Sequence, residues 1–126
     1  MKSRTIERMK VIQFLYSLDF KGSDFSETYK MINLENEPLA KQIIEFYIDN
    51  HDKVNSVIQK NLNSWKLNRL NYTDRAIIRA GTCELMIHET DKAVIINEFV
   101  DISKIYGQHE SPFFINGILD GLDFLK

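Results

Sequence analysis

The first ten residues carry Lys2, Arg4, Arg8 and Lys10 against a single Glu7, the most basic stretch of a chain whose formal net charge is −2. Arg4 and Arg8 stand four apart, so on a helix they line one face. Guanidinium groups placed this way can take successive phosphates, each through a planar fork of donors. A solvated, mildly basic helix start is the alternative, although cations there oppose the helix dipole. A second stretch with chemistry in it is Gln108-His109-Glu110-Ser111-Pro112-Phe113-Phe114-Ile115-Asn116. It joins flat rings, which can stack on unpaired bases, to polar groups that can read base edges. Two adjacent phenylalanines cannot face the same way on a helix, so one is free to enter a core while the other stays out.

Catalytic arrangements are missing from the pattern. His51, His88 and His109 have no spacing that pairs any of them with a second ligand on one helical face. His88-Glu89 does not open a His-Glu-x-x-His motif, because position 92 is Lys. Cys83 is the one cysteine, which excludes an internal disulfide and a cysteine zinc site and reads as a buried inert thiol. Glu98 and Asp101 read as a solvated helix face. The glycines form no phosphate loop; Gly81, Gly117 and Gly121 fall within helices, where glycine costs about 1 kcal/mol against alanine. Close helix–helix approach is the expected return. No catalytic residue, metal or cofactor is expected, and the chain reads as a binding protein rather than an enzyme.

The elements that must position these residues are helices almost throughout. The first runs from about Ser3, a candidate cap, to Phe20, with Ile6, Met9, Ile12 and Tyr16 on one side and Val11, Phe14, Leu15 and Leu18 on another. Such a helix belongs between neighbours. Lys21-Gly22-Ser23 closes it, a cation followed by a left-handed cap. A short helix from about Ser26 to Asn33 follows. Pro38 opens a third, whose stripe Leu39, Ile43, Phe46 and Tyr47 changes phase at Asn50 and His51, so a break or kink is expected there. A fourth carries Val54, Val57, Ile58 and Leu62, with Trp65 after it. Thr73 or Asn71 caps a fifth through about His88. The β-branched run Ala93-Val94-Ile95-Ile96 reads as the buried start of a sixth, ending at Gly107, and Ser111-Pro112 starts a seventh.

The sum is an all-α chain of about seven helices in one domain, 1–126. Its hydrophobic fraction of 44% and charged fraction of 27% are ordinary for a globular protein, and only two prolines interrupt it. No apolar run approaches the roughly 20 residues that a membrane helix needs. Charges scattered through the N-terminus leave no secretory signal, so a cytoplasmic location is expected and no membrane partner.

Four blocks resemble the NusB family. Thr73-Asp74-Arg75-Ala76-Ile77-Ile78-Arg79-Ala80-Gly81-Thr82-Cys83-Glu84-Leu85 is similar to its signature of an acidic-basic helix start, then Ile/Leu-Leu-Arg and Glu-Leu. Val94-Ile95-Ile96-Asn97-Glu98-Phe99-Val100-Asp101-Ile102-Ser103-Lys104 resembles Val-x-Ile-Asn-Glu-x-Val-x-Leu-Ala-Lys. Ser111-Pro112-Phe113-Phe114-Ile115-Asn116-Gly117-Ile118-Leu119-Asp120 resembles Ser-x-x-Phe-Val-Asn-Gly-Val-Leu-Asp, and Gln13-Phe14-Leu15-Tyr16 resembles Gln-x-Leu-Tyr. The blocks stand in the family's order and span nearly the whole chain.

The resemblance implies a NusB-like fold of seven helices in two packed helical subdomains. It implies transcription antitermination through single-stranded boxA RNA of rRNA operon transcripts, with the ribosomal protein NusE as partner, in a complex on RNA polymerase. Carried over by position, Lys2, Arg4 and Arg8 contact phosphates, with Lys10 a local addition. Glu110, Ser111 and Phe114 form a second RNA-contacting region. Tyr16 and Asp74 fall on the NusE surface, and Asn97, Glu98 and Asn116 brace the last two helices. Thr5 and Ile6 stand where the family commonly has arginines, so fewer phosphate contacts and a flatter salt dependence are expected. A helical protein-interaction module with incidental RNA binding is the competing reading. A homodimer hiding the first helix is another. The RNA-recognition part of an rRNA methyltransferase is a third, disfavoured because 126 residues leave no room for a methyl-donor fold.

Overall fold

A computed structural model describes residues 2–22, 24–63 and 65–124; Ser23, expected to help close the first helix, lies outside them. The described residues form six helices and no strand: α1 (Ser3–Lys21), α2 (Phe25–Met31), α3 (Pro38–Lys60), α4 (Tyr72–Ile87), α5 (Lys92–Tyr106) and α6 (Ser111–Asp120), with a 3-10 turn at Leu67–Arg69. No helix among them is long and apolar enough to cross a membrane. The third and fourth of the expected seven helices are the two arms of α3, which meet at a kink. The phase change is this kink, where Asn50 leaves helical geometry (φ −132°, ψ 21°). The Asn50 side chain donates to the Phe46 carbonyl at 3.0 Å, occupying an acceptor that the kink disturbs.

α4 is the axis of the molecule. It packs on α1 and α3 on one side and on α5 and α6 on the other, so α1–α3 and α4–α6 form two halves joined along it. Small residues make this possible: Ala76, Ala80 and Gly81 are buried, and a Cβ at Gly81 would stand 2.9 Å from Leu119 Cδ1. The core holds Phe14, Leu15, Ile43, Ile44, Ile77, Ile78, Phe99, Ile102 and Leu119. Polar ties fix the halves. Arg79 Nη1 bonds Asp19 Oδ2 at 2.7 Å, and its Nε donates to Asn55 Oδ1 at 2.8 Å, which links α4 to α1 and α3.

The helix ends are set partly from elsewhere in the chain. α1 stops at Gly22 in the left-handed region (φ +63°). Ser3 is already helical rather than the cap; the cap position is Lys2, whose side chain makes no capping bond. α3 begins at Pro38, and Glu7 of α1 caps it: Oε1 accepts from the Leu39 and Ala40 amides at 2.9 and 3.1 Å. α4 is capped by Asn71, one of the two expected candidates, which accepts from the Asp74 amide at 2.8 Å. The β-branched run does start a helix, with Ile95 and Ile96 buried, although Val94 stays exposed. Gly117 departs from expectation. A Cβ there would meet nothing within 4 Å, so no helix approaches it closely.

Candidate nucleic-acid interface

The two stretches singled out by their chemistry end on the same helix. The start of α1 lies against α5: Arg4 Nη2 donates to Thr90 Oγ1 at 3.3 Å, and Thr5 Oγ1 donates to Glu98 Oε1 at 2.9 Å. The start of α6 lies against the far end of α5, where a Cβ at Gly107 would stand 2.7 Å from both the Ser103 carbonyl oxygen and Ser111 Cβ. Glu98 and Gly107 are nine residues apart, about 13 Å of helix rise. Asn97, Asp101 and Lys104 are exposed and share a stripe, with Glu98 and Ser103 to either side of it at 100° per residue. The first turns of α1 and α6 thus border one solvent face of α5. Lys2, Ser3, Arg4, Arg8, Thr90 and Asn97 help line an open depression of about 460 Å³ at its head.

Within this frame the expected cations separate. Lys2 and Arg4 are exposed. Arg8 is 2% exposed and faces inward. Its Nε and Nη2 donate to the two carboxylate oxygens of Glu84, both at 2.8 Å, and Nη1 donates to Glu98 Oε1 at 2.8 Å. Burial alone would lower the Arg8 pKa; the Glu84 hydrogen bonds and charge, joined by the charges of Glu98 and Glu7, outweigh it and hold the guanidinium charged above its ordinary value. The expectation that Arg8 meets a phosphate is therefore corrected, since its donors are spent in a buried three-helix ion pair. Glu98 is corrected with it, from a solvated acid to the link between α1 and α5. Lys10 is diverted as well, to Glu37 Oε1 at 2.7 Å.

The second stretch divides in the same way. Glu110 is exposed at the head of α6. Ser111 is buried and its hydroxyl accepts from the Gln108 amide at 2.9 Å, so it shapes the loop and offers nothing to a ligand in solution. Phe114 packs half-buried against the core, whereas Phe113 is 82% exposed. The free ring is thus Phe113 and not the Phe114 that the family pattern designates. The sequence carried the signal, two adjacent rings of which one must face out, but not the phase that decides between them.

The remaining expected contacts lie at the other end of α1. Tyr16 is part of an exposed aromatic trio, stacked on Phe20 at 5.7 Å and edge-on to Tyr72 at 6.0 Å, with the Arg75 guanidinium 4.9 Å from the Tyr72 ring centre. Sequence reading missed Phe20 and Tyr72, which become neighbours only when α4 docks on α1. Asp74 is buried at the head of α4; Oδ2 accepts from Asn71 Nδ2 at 3.1 Å and Oδ1 has no partner. Cys83 is fully buried, and burial pushes its thiol pKa well above the ordinary value. Among the described residues no cluster of His, Cys, Asp and Glu could hold a metal ion.

Fold and surface together define a small all-α protein in which the starts of two helices meet on one face of a third. The NusB family model matches residues 5–123. The chain is 35% identical to the transcription antitermination protein NusB of Sulfurimonas denitrificans, over 97% of each chain. It is 33% identical to that of Bacillus mycoides, again over 97% of each. The solved T. maritima NusB superposes with a TM-score of 0.83 at 29% identity, covering 93% of this chain and 87% of that one. The chain belongs to the NusB family of transcription antitermination factors, a family of RNA-binding proteins and not of enzymes.

Proposed function

We propose that this protein binds the single-stranded boxA-type element of nascent rRNA operon transcripts together with NusE, within a cytoplasmic antitermination complex on RNA polymerase. The observation that carries the reading is the meeting of the α1 and α6 starts on one face of α5. Lys2 and Arg4 engage phosphates, and Lys10 adds charge from behind its pair with Glu37. Phe113 stacks on a base and Glu110 accepts from a base edge. Arg8, Ser111 and Phe114 act by holding these groups in place. NusE docks on the aromatic trio of Tyr16, Phe20 and Tyr72, and supplies a donor to the unpartnered Asp74 Oδ1. The whole chain, 1–126, works as a single domain in this reading.

Anisotropy with a boxA-like strand and a scrambled control, each with and without NusE, tests it. Preference for boxA, sharpened by NusE and lost in Lys2→Glu/Arg4→Glu, is the expected result; no preference even with NusE removes the proposal. The exposed aromatic trio favours one second reading, a module whose main task is protein docking. In that case the double variant binds NusE normally and RNA adds nothing to the complex. Light scattering with and without RNA tests the homodimer.

A further inference from the structure

The longest acid-free run in this acidic chain lies far from α1's start: Lys53 to Thr73 contains Lys53, Lys60, Lys66 and Arg69 and no Asp or Glu. All four cations are exposed. Among the described residues none of them has an ion-pair or side-chain hydrogen-bond partner, whereas Arg8, Lys10, Arg75, Arg79, Lys92 and Lys104 are all paired.

The centre of this face is built rather than loose. Gln59, near the end of α3, grips the following loop at two points: Nε2 donates to the Trp65 carbonyl at 2.7 Å and Oε1 accepts from the Leu67 amide at 2.9 Å. Leu67 and Leu70 are buried beneath the 3-10 turn. Lys66 precedes the turn as its cap and Arg69 ends it, the Arg69 amide donating to the Lys66 carbonyl at 2.9 Å, and both side chains are exposed. Beside them the Trp65 ring is 62% exposed. Asp123 lines a depression with Lys60 and Asn61, which leaves Lys66 and Arg69 as the uncompensated centre. The turn leads into Tyr72, which touches Phe20 at α1's far end. α1, 19 residues and about 28 Å long, runs from the Lys2 end to the Phe20 end that Tyr72 touches.

We propose that Trp65, Lys66 and Arg69 form a second contact for single-stranded RNA, distinct from the α1–α5–α6 face. The cations engage phosphates and the indole stacks on an unpaired base, the pairing of groups that sequence-tolerant single-strand binders use. Charge complementarity selects a polyanion, and the large flat ring selects one that carries bases. The inference rests on the reading of this protein as an RNA binder and adds a second anchor to it.

Trp65 is the one tryptophan of the chain, so its emission reports this site alone. The full-length protein is titrated with end-labelled oligouridylate, with label anisotropy reading total binding and tryptophan emission reading the site. The expected result is quenching that follows the anisotropy, weakens with added NaCl and persists in Lys2→Glu/Arg4→Glu. Lys66→Glu/Arg69→Glu, whose side chains are solvent-facing, weakens binding on the order of tenfold at unchanged circular dichroism. Anisotropy binding with constant tryptophan emission and an unaffected Lys66→Glu/Arg69→Glu variant overturns this second contact and leaves the first standing. No anisotropy change at all overturns both. Equal quenching by polyglutamate identifies an acidic protein surface as the occupant and overturns the RNA assignment.

Discussion

At the scale of the residue, two arginines four positions apart have opposite fates. Arg8→Met leaves Glu84 buried without its counter-charge, and loss of one partner of a buried pair costs about 3–5 kcal/mol. Arg4→Glu, at an exposed position, changes stability by no more than about 0.5 kcal/mol while weakening RNA binding. Thermal melts beside anisotropy check both, and equal melts for the two variants contradict the buried ion pair. Cys83 gives a second test. Its folded pKa is raised above the ordinary 9.0 by burial, so its contribution to stability is full below that pH and declines as pH rises past it. The thiol is expected to resist a disulfide reagent at pH 8 until the protein unfolds; labelling at the rate of a free thiol contradicts its burial. The burial of Cys83 was legible from residue type, and that of Arg8 was not. An arginine on a helix reads as a surface cation until the carboxylates it will meet, 76 and 90 positions away, are brought to it.

At the scale of the element, glycines that look alike differ. Gly117→Ala, with open space around it, replaces a poor helix former and is expected to raise stability by about 0.5–1 kcal/mol. Gly107→Ala forces a methyl against Ser103 and Ser111, an overpacking on the order of 1–3 kcal/mol, and shifts the head of α6. Melting temperatures moving in opposite directions are the check; a stabilising Gly107→Ala means that the α5–α6 corner can open. The helices themselves were legible, because a 3.6-residue apolar period, Pro38, Asn71 and Gly22 are local signals. The Asn50 phase change was legible too, but not how the two arms of α3 are held, since Arg79 of α4 reaches Tyr47 before the kink and Asn55 after it.

At the scale of the molecule, the count of unpaired cations sets the salt response. Lys2 and Arg4, with Lys10 in partial support, predict a slope of log affinity on log salt of about −2 from the α1 face alone. A slope of about −3.4 for the parent, falling toward −2 in Lys66→Glu/Arg69→Glu, is expected if both faces engage one strand, since each single-strand phosphate contact adds about −0.7. Four sequence blocks were enough to place the family, because each reflects packing around α4. The division of labour within the interface was not in them, since it depends on which flank of each helix the tertiary fold covers. The capless beginning of α1 carries one more consequence. Lys2 makes no capping bond, the first turn holds no acid, and the segment is fixed by Glu84 and Glu98 from other helices and by Thr90 from the loop between them. A synthetic peptide of residues 2–21 therefore frays where its cations lie, and recognition cannot be transplanted with the segment. Ligand and fold become thermodynamic partners: a strand that grips this edge also resists its melting.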